Sequence, residues 1–194
     1  MPPTVLETPR LIIRPFTMEE TPIIHRILDQ TFGDGTLSRD PTALAERRSW
    51  VQWSILNQTW FPAMHQPPYG DRAIVEKTTQ TLIGSVGYVP CLAPFEQLPA
   101  LRTTSAPSGF ATPEVGLFWV IDPAQQRHGY ATEAARAMIQ HAFTHLRLKR
   151  IIATTEYTNT ASQGVMRKLG MQVLHNPLSE PEWLQVVGVL QNVG

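Results

Sequence analysis

Apolar positions recur most regularly between residues 131 and 146. Ala131, Ala134, Ala135, Met138, Ile139, Ala142, Phe143 and Leu146 fall on one helical face, and Glu133, Arg136, Gln140 and Arg147 on the other. The spacing predicts an amphipathic helix that buries one side against a sheet. Just upstream, Val115, Leu117, Phe118, Trp119, Val120 and Ile121 form a strand-like run that Asp122-Pro123 stops. Nearer the start, an opening strand is expected over residues 9–15, followed by Thr17, which can cap a helix that Glu20 supports from the third position. A second helix is expected after Asp40, with Pro41 in its first turn, running past Leu44, Val51 and Ile55. Arg72 to Glu76 and Thr81 to Val89 read as a hairpin around Lys77-Thr78-Thr79-Gln80, Arg150 to Thr155 as a further strand, and a last helix ends at Lys168-Leu169-Gly170-Met171. Between Val89 and Glu114 the pattern lapses. Pro90 through Pro113 has no sustained period and is long beside the usual ~4–6-residue connection, as binding loops and disordered segments are. No internal repeat or low-complexity tract interrupts the chain.

Composition narrows the class. With 194 residues, 42% hydrophobic and 16% charged, the chain can fill one core, and a single domain over 1–194 with a long inserted loop at about 90–113 is expected. Sixteen Lys and Arg balance sixteen Asp and Glu, so no overall field draws the protein to nucleic acid or an anionic membrane. No apolar run has the ~18–20 residues of a membrane span, and Met1-Pro2-Pro3-Thr4 lacks a signal peptide's regions, which makes the cytoplasm the expected location. Cys91, the single cysteine, has no internal disulfide partner and reads as a small apolar filler near a strand end.

The candidate chemistry lies where the apolar strand meets the amphipathic helix. Gln126-Arg127-His128-Gly129-Tyr130-Ala131-Thr132 opens that helix at a single glycine. Amides at a helix start lack intrahelical partners, the helix dipole adds positive potential, and a glycine lets backbone approach a phosphate. Arg127 and His128 add charge. A glycine between strand and helix is also ordinary connection chemistry, so this stretch alone leaves both readings open.

With the downstream landmarks in order, the chain resembles the GNAT acetyltransferase superfamily, in the branch of the RimJ and RimL ribosomal-protein N-terminal acetyltransferases. Leu6-Glu7-Thr8-Pro9-Arg10-Leu11-Ile12-Ile13-Arg14-Pro15 is similar to that branch's opening strand, and Glu114-Val115-Gly116-Leu117-Phe118-Trp119 to its fourth. Gln126-x-x-Gly129-x-Ala131 fits the acyl-CoA motif, Asn159-x-x-Ser162 before Leu169-Gly170 is a further landmark, and Pro181 to Gly188 resembles a closing strand. The resemblance implies a mixed α/β fold whose central, mostly antiparallel sheet splays between strands 4 and 5, with helices on both faces. It also implies transfer of acetyl from acetyl-CoA to a primary amine by direct attack in a ternary complex. The acceptor would be a protein or peptide N-terminus or a small-molecule amine, and no metal is needed.

By the same resemblance, the backbone of Trp119, Val120 and Ile121 would hold the pantetheine arm, an amide near Val120 or Ile121 would stabilise the oxyanion, and Asn159 and Ser162 would complete the cofactor site. Glu114 is the candidate base; alternatively it is an edge carboxylate that binds the acceptor's ammonium group or makes a structural hydrogen bond. Relatives place a tyrosine four residues after Ser162 to protonate the leaving thiolate. Met166 stands there, leaving Ser162, Tyr157 or water as the acid, while Ser162 can equally bond within its helix. Met166 also keeps open a non-catalytic acyl-CoA sensor. Apolar Leu184 to Leu190 suggests a strand able to pair across a homodimer. His141 and His145 read as a solvated helix face rather than a metal clasp, and Arg47-Arg48 likewise as solvated. Trp50, Trp53 and Trp60 read as packing residues, one of which can border an acceptor cleft, and the Pro90–Pro113 segment is where acceptor selection is expected.

Overall fold

The computed structural model describes residues 4–33, 35–102 and 105–193. Eight strands form a sheet in the order β1-β2-β3-β4-β5-β6-β8-β7. They are β1 (Leu6–Glu7), β2 (Leu11–Arg14), β3 (Gly70–Glu76), β4 (Thr81–Ala93), β5 (Thr112–Ile121), β6 (Arg150–Thr155), β7 (Gln172–His175) and β8 (Val186–Gln191). Four helices accompany them: α1 (Thr21–Phe32), α2 (Pro41–Ala63), α3 (Tyr130–Thr144) and α4 (Thr160–Lys168). The pairings are antiparallel at β1–β2, β2–β3, β3–β4, β6–β8 and β7–β8, and parallel at β5–β6, registered at Gly116↔Ile152. This is the mixed α/β architecture expected from the sequence. By contacts the chain divides into two compact units, one of residues up to Val89 with Phe118–His141, the other of Pro90–Leu117 with the residues from Ala142 onward.

In the first unit the sheet is sandwiched because its strands alternate. Ala73, Val75, Leu82 and Val120 face α1 and α2, where Phe16, Ile24, Ile27, Leu28 and Val51 complete a buried cluster. Arg72 and Tyr88 lie on the opposite register positions, and the Tyr88 hydroxyl donates to the Met138 carbonyl of α3 at 2.7 Å. Local capping acts as expected. Thr17 and Glu20 form a capping box on a 3-10 turn, Met18–Glu20, that leads into α1, and the Asp40 carboxylate accepts from the Thr42 amide at the start of α2. At Gly84 a side chain would collide with the Val120 carbonyl, so glycine lets β4 lie close to β5.

In the second unit, Ala93, Phe95, Leu98, Ile152, Leu184, Val187 and Val189 are buried together. Phe95 and Leu98 belong to the segment expected to be a free loop. Instead β4 runs on to Ala93, two 3-10 turns follow at Phe95–Gln97 and Pro99–Leu101, and their apolar side chains plug this core. The part that behaves as a loop is 105–111; residues 103 and 104 lie outside the described residues.

Three other expectations are corrected. The closing strand begins at Val186, because Glu182–Leu184 turns as a 3-10 helix. It is paired on one side with β6 and on the other with β7, so it has no free edge for a second copy. His141 is buried rather than solvated: its Nδ1 lies 3.1 Å from the Tyr88 hydroxyl. Arg47 is half-buried, and burial lowers its guanidinium pKa against the pull of Asp71. Trp50 packs on the α1–α2 cluster, whereas Trp53 and Trp60 are exposed. Among the described residues no helix is long and apolar enough to cross a membrane.

Candidate functional site

The first unit carries the loop between β5 and α3. Asp122 ends the strand: its amide donates to the Ile83 carbonyl at 2.8 Å, and its carboxylate accepts from the Ala124 amide and from Arg26 at 2.6 Å. Burial works against the charge of Asp122, but Arg26 and the Ala124 amide outweigh it and hold the carboxyl below its ordinary range. Gln126 folds back so that its Nε2 donates to the Ile121 carbonyl at 3.2 Å, tying the loop to the strand end.

Two left-handed residues then shape the loop, Arg127 at φ 66° and Gly129 at φ 83°. Left-handed turns beside helical residues make successive amides converge into an anion-binding concavity. At Arg127 a non-glycine residue pays about 1–2 kcal/mol for that conformation. A Cβ on Gly129 would meet only Arg10 Nη2, at 3.6 Å, so the glycine answers to φ and leaves its flank open for an approaching group. Tyr130, Ala131 and Thr132 follow as the first turn of α3, where amides have no earlier carbonyl to bond.

A clamp not expected from the sequence fixes this loop. Arg10 donates through Nε to Glu133 Oε2 at 2.7 Å, through its backbone amide to Oε1 at 3.0 Å, and through Nη1 to the His128 carbonyl at 3.0 Å. The Thr8 hydroxyl adds a bond to Glu133 Oε1 at 2.6 Å, and the Arg10 guanidinium stacks 4.6 Å from the centre of the Tyr130 ring, itself stacked with His128. Burial opposes the Glu133 charge, yet Thr8 and Arg10 prevail and keep its carboxyl below the usual range. An acid in the first turn also suits the helix dipole. The partners stand 123 residues apart, beyond any local pattern.

Trp119, Val120 and Ile121 complete the first unit's share of the expected residues. Val120 and Ile121 are buried and Trp119 is half-buried, all three in β5.

The second unit holds Glu114, Asn159 and Ser162. Glu114 lies near the start of β5, its side chain 9% exposed, and both its oxygens accept from the Arg150 guanidinium, one at 2.8 Å. That fork is the geometry of a structural ion pair. Burial, helped by the charge of Glu114, pushes the Cys91 thiol up, so it is held as a neutral filler. Asn159 caps α4, its Oδ1 accepting from the Ser162 amide at 3.0 Å. Met166, four residues further, is fully buried and would lie about 3 Å from any Cβ at Gly188; here the position serves packing. The Tyr157 hydroxyl donates to the Asn176 carbonyl, and its ring stacks on His175. Among the described residues no three His, Cys, Asp or Glu side chains gather as a metal site.

The family model described as "Acetyltransferase (GNAT) domain" matches residues 10–172. The Bacillus subtilis (strain 168) protein YoaA, an uncharacterised N-acetyltransferase, is 30% identical over 169 residues, covering 87% of this chain and 82% of YoaA. YnaD, another uncharacterised N-acetyltransferase of that strain, is 45% identical over 64 residues, which span 33% of this chain and 36% of YnaD. The match thus spans about a third of YnaD's length. Among solved structures, RimL, a ribosomal alpha-N-protein acetyltransferase in complex with coenzyme A, superposes with a TM-score of 0.63 at 15% identity, over 97% of this chain and 98% of RimL.

Proposed function

Since the chain belongs to the GNAT acetyltransferase family, we propose that it transfers an acetyl group from acetyl-CoA to a primary amine by direct attack in a ternary complex. The observation that supports this reading best is the clamped, left-handed loop at Arg127–Tyr130, a backbone shape suited to an anion. Bound acetyl-CoA supplies an electrophilic thioester carbonyl, and what remains for the protein is orientation, oxyanion stabilisation and proton transfer. Gln126, Arg127, His128, Gly129, Tyr130, Ala131 and Thr132 are the proposed diphosphate residues. Trp119, Val120 and Ile121 are proposed to align the pantetheine arm, with an amide of Val120 or Ile121 donating to the oxyanion. Asn159 and Ser162, in the second unit, are proposed as further cofactor-binding residues.

The proton is the less constrained part. For Glu114 to take it from the acceptor's ammonium group, so that the neutral amine can attack, the carboxylate must act as a base while the Arg150 guanidinium engages both its oxygens. The ion pair favours the structural reading, with water accepting the proton. A thiolate is a weak base and departs without a dedicated acid, so Met166 is compatible with turnover. The acceptor we favour is a protein or peptide N-terminus, in keeping with the resemblance to RimJ and RimL. Its selection is assigned to exposed residues 105–111, where Phe110 is 77% exposed.

Thermal unfolding with and without acetyl-CoA tests the core of the reading. At a ligand concentration of ~100 times Kd the parent should gain about 2.7 kcal/mol, and a folded Gly129→Glu variant should gain nothing. An equal gain in both, or none in the parent, removes the loop as the cofactor site. Steady-state turnover of Glu114→Gln then decides the base: a loss of 10²-fold or more establishes it, and a rate unchanged across pH excludes it. A non-catalytic acyl-CoA sensor would bind equally well, and parent turnover on any amine separates the two readings.

A further inference from the structure

Helix α2 is inside out over its second half. Ser54, Asn57 and Gln58 are buried, with Asn57 Nδ2 and Gln58 Oε1 lacking a hydrogen-bond partner, while Trp53, Leu56, Trp60 and Met64, its C-terminal capping residue, are 42%, 49%, 62% and 56% exposed. These four follow one another at intervals of three, four and four residues, which aligns them as a single stripe. At ~200 Å² per large side chain they leave on the order of 400 Å² of apolar surface in contact with water. A patch of that size is typical of the largest on a monomer and is often functional. Beside it lies a groove of about 310 Å³ lined by Met18, Arg48, Gln52, Ile55 and Leu56, so Leu56 belongs to both stripe and groove.

We propose that this face joins two copies of the chain through an antiparallel α2–α2 contact. Two observations select a second copy as the occupant. Between Arg48 and Asp71 the sequence carries no Asp, Glu, Lys or Arg, so two such faces meet without like-charge repulsion, and no basic residue on the stripe holds it to an anionic bilayer. A two-fold axis near Leu56 also doubles the apolar area to about 800 Å², close to the ~1,000 Å² at which specific interfaces begin. The same axis sets Trp60 of each copy over Trp53 and the Gln52–Leu56 groove of the other, where Arg48 can cover the indole face. An interface of this size belongs to the micromolar class. The contact is independent of the acetyltransferase reading, because none of its residues belongs to the proposed cofactor site.

Sedimentation velocity of the full chain from about 1 to 200 μM tests it across that affinity range. The parent should pass from monomer to dimer, Trp60→Ala should raise the dimer Kd at least tenfold, and Trp60→Glu and Leu56→Glu should remain monomeric with an unchanged circular dichroism spectrum. Leu178→Glu, on an exposed apolar residue of the other unit, should dimerise like the parent. A parent that is monomeric throughout overturns the proposal, as does a dimer that survives Trp60→Glu.

Discussion

Helices α2 and α3 contribute to the same unit, and their polar and apolar residues are distributed in opposite ways. In α3 the apolar stripe is buried, with Ala134, Ala135, Met138 and Ala142 inaccessible, and the polar face meets solvent. In the second half of α2, Trp53, Leu56 and Trp60 are outside and an Asn, a Gln and a Ser are inside. The first arrangement packs the helix against the sheet, which suits a helix whose first turn is proposed to receive a ligand. The second sacrifices burial within the fold and leaves an adhesive surface outside it. The difference separates residues that build the fold from residues the fold only displays.

Substitution in each helix probes that contrast. Met138→Ala empties a fully buried site and should cost about 2–5 kcal/mol in denaturant unfolding, whereas Trp60→Ala, despite removing a larger side chain, should change monomer stability by less than ~0.5 kcal/mol. Similar costs at the two sites would erase the distinction.

The buried side of α2 is probed next through Asp71, opposite Ser54. Burial raises the Asp71 carboxyl from 3.8 to about 6, with the Ser85 hydroxyl at 2.7 Å and Arg47 acting against the shift. Because the folded value exceeds the unfolded one, the folded state binds the proton more tightly. Asp71 therefore contributes stability fully below about pH 4, and that contribution is lost as pH rises through 6. The loss is about 3 kcal/mol at most. Unfolding free energies from pH 4 to 8 should show this decline in the parent and a flatter profile in Asp71→Asn.

Smaller again is the effect at the start of α3. Arg10→Ala should raise the Kd for acetyl-CoA about tenfold by loosening the loop, while stability changes by less than about 1 kcal/mol because the Arg10–Glu133 pair is partly exposed. A stability loss with unchanged affinity would make the clamp purely structural.

Legibility in the sequence followed the same division. The spacing of α3, the Thr17–Glu20 capping box, the Asp40-Pro41 start of α2 and the β3–β4 hairpin are local features, and all can be read from neighbouring residues. Strand β7 is only four residues long and its burial does not alternate, so no period announces it. His141 looks solvated until Tyr88, 53 residues earlier, is set against it. The left-handed turn at Gly129 is readable because glycine marks backbone shape, and its proposed use in anion recognition rests on that shape. The Arg10–Glu133 tie and the Glu114–Arg150 pair depend on tertiary proximity and leave no local trace. Apolar residues in α2 suggested a core because hydropathy cannot tell a residue buried by its own fold from one waiting for a neighbour.

The tie between Arg10 and Glu133 also affects how the protein can be handled. The Thr4 carbonyl accepts a hydrogen bond from buried Arg72 at 2.5 Å, and six residues later Arg10 grips the opening of α3, so the chain's first strands behave as a latch. A purification tag placed ahead of residue 4 hangs from that latch, and a trimmed chain starting at Leu11 lacks it altogether. Either change would enter binding measurements as a weaker cofactor site whose own residues are all intact.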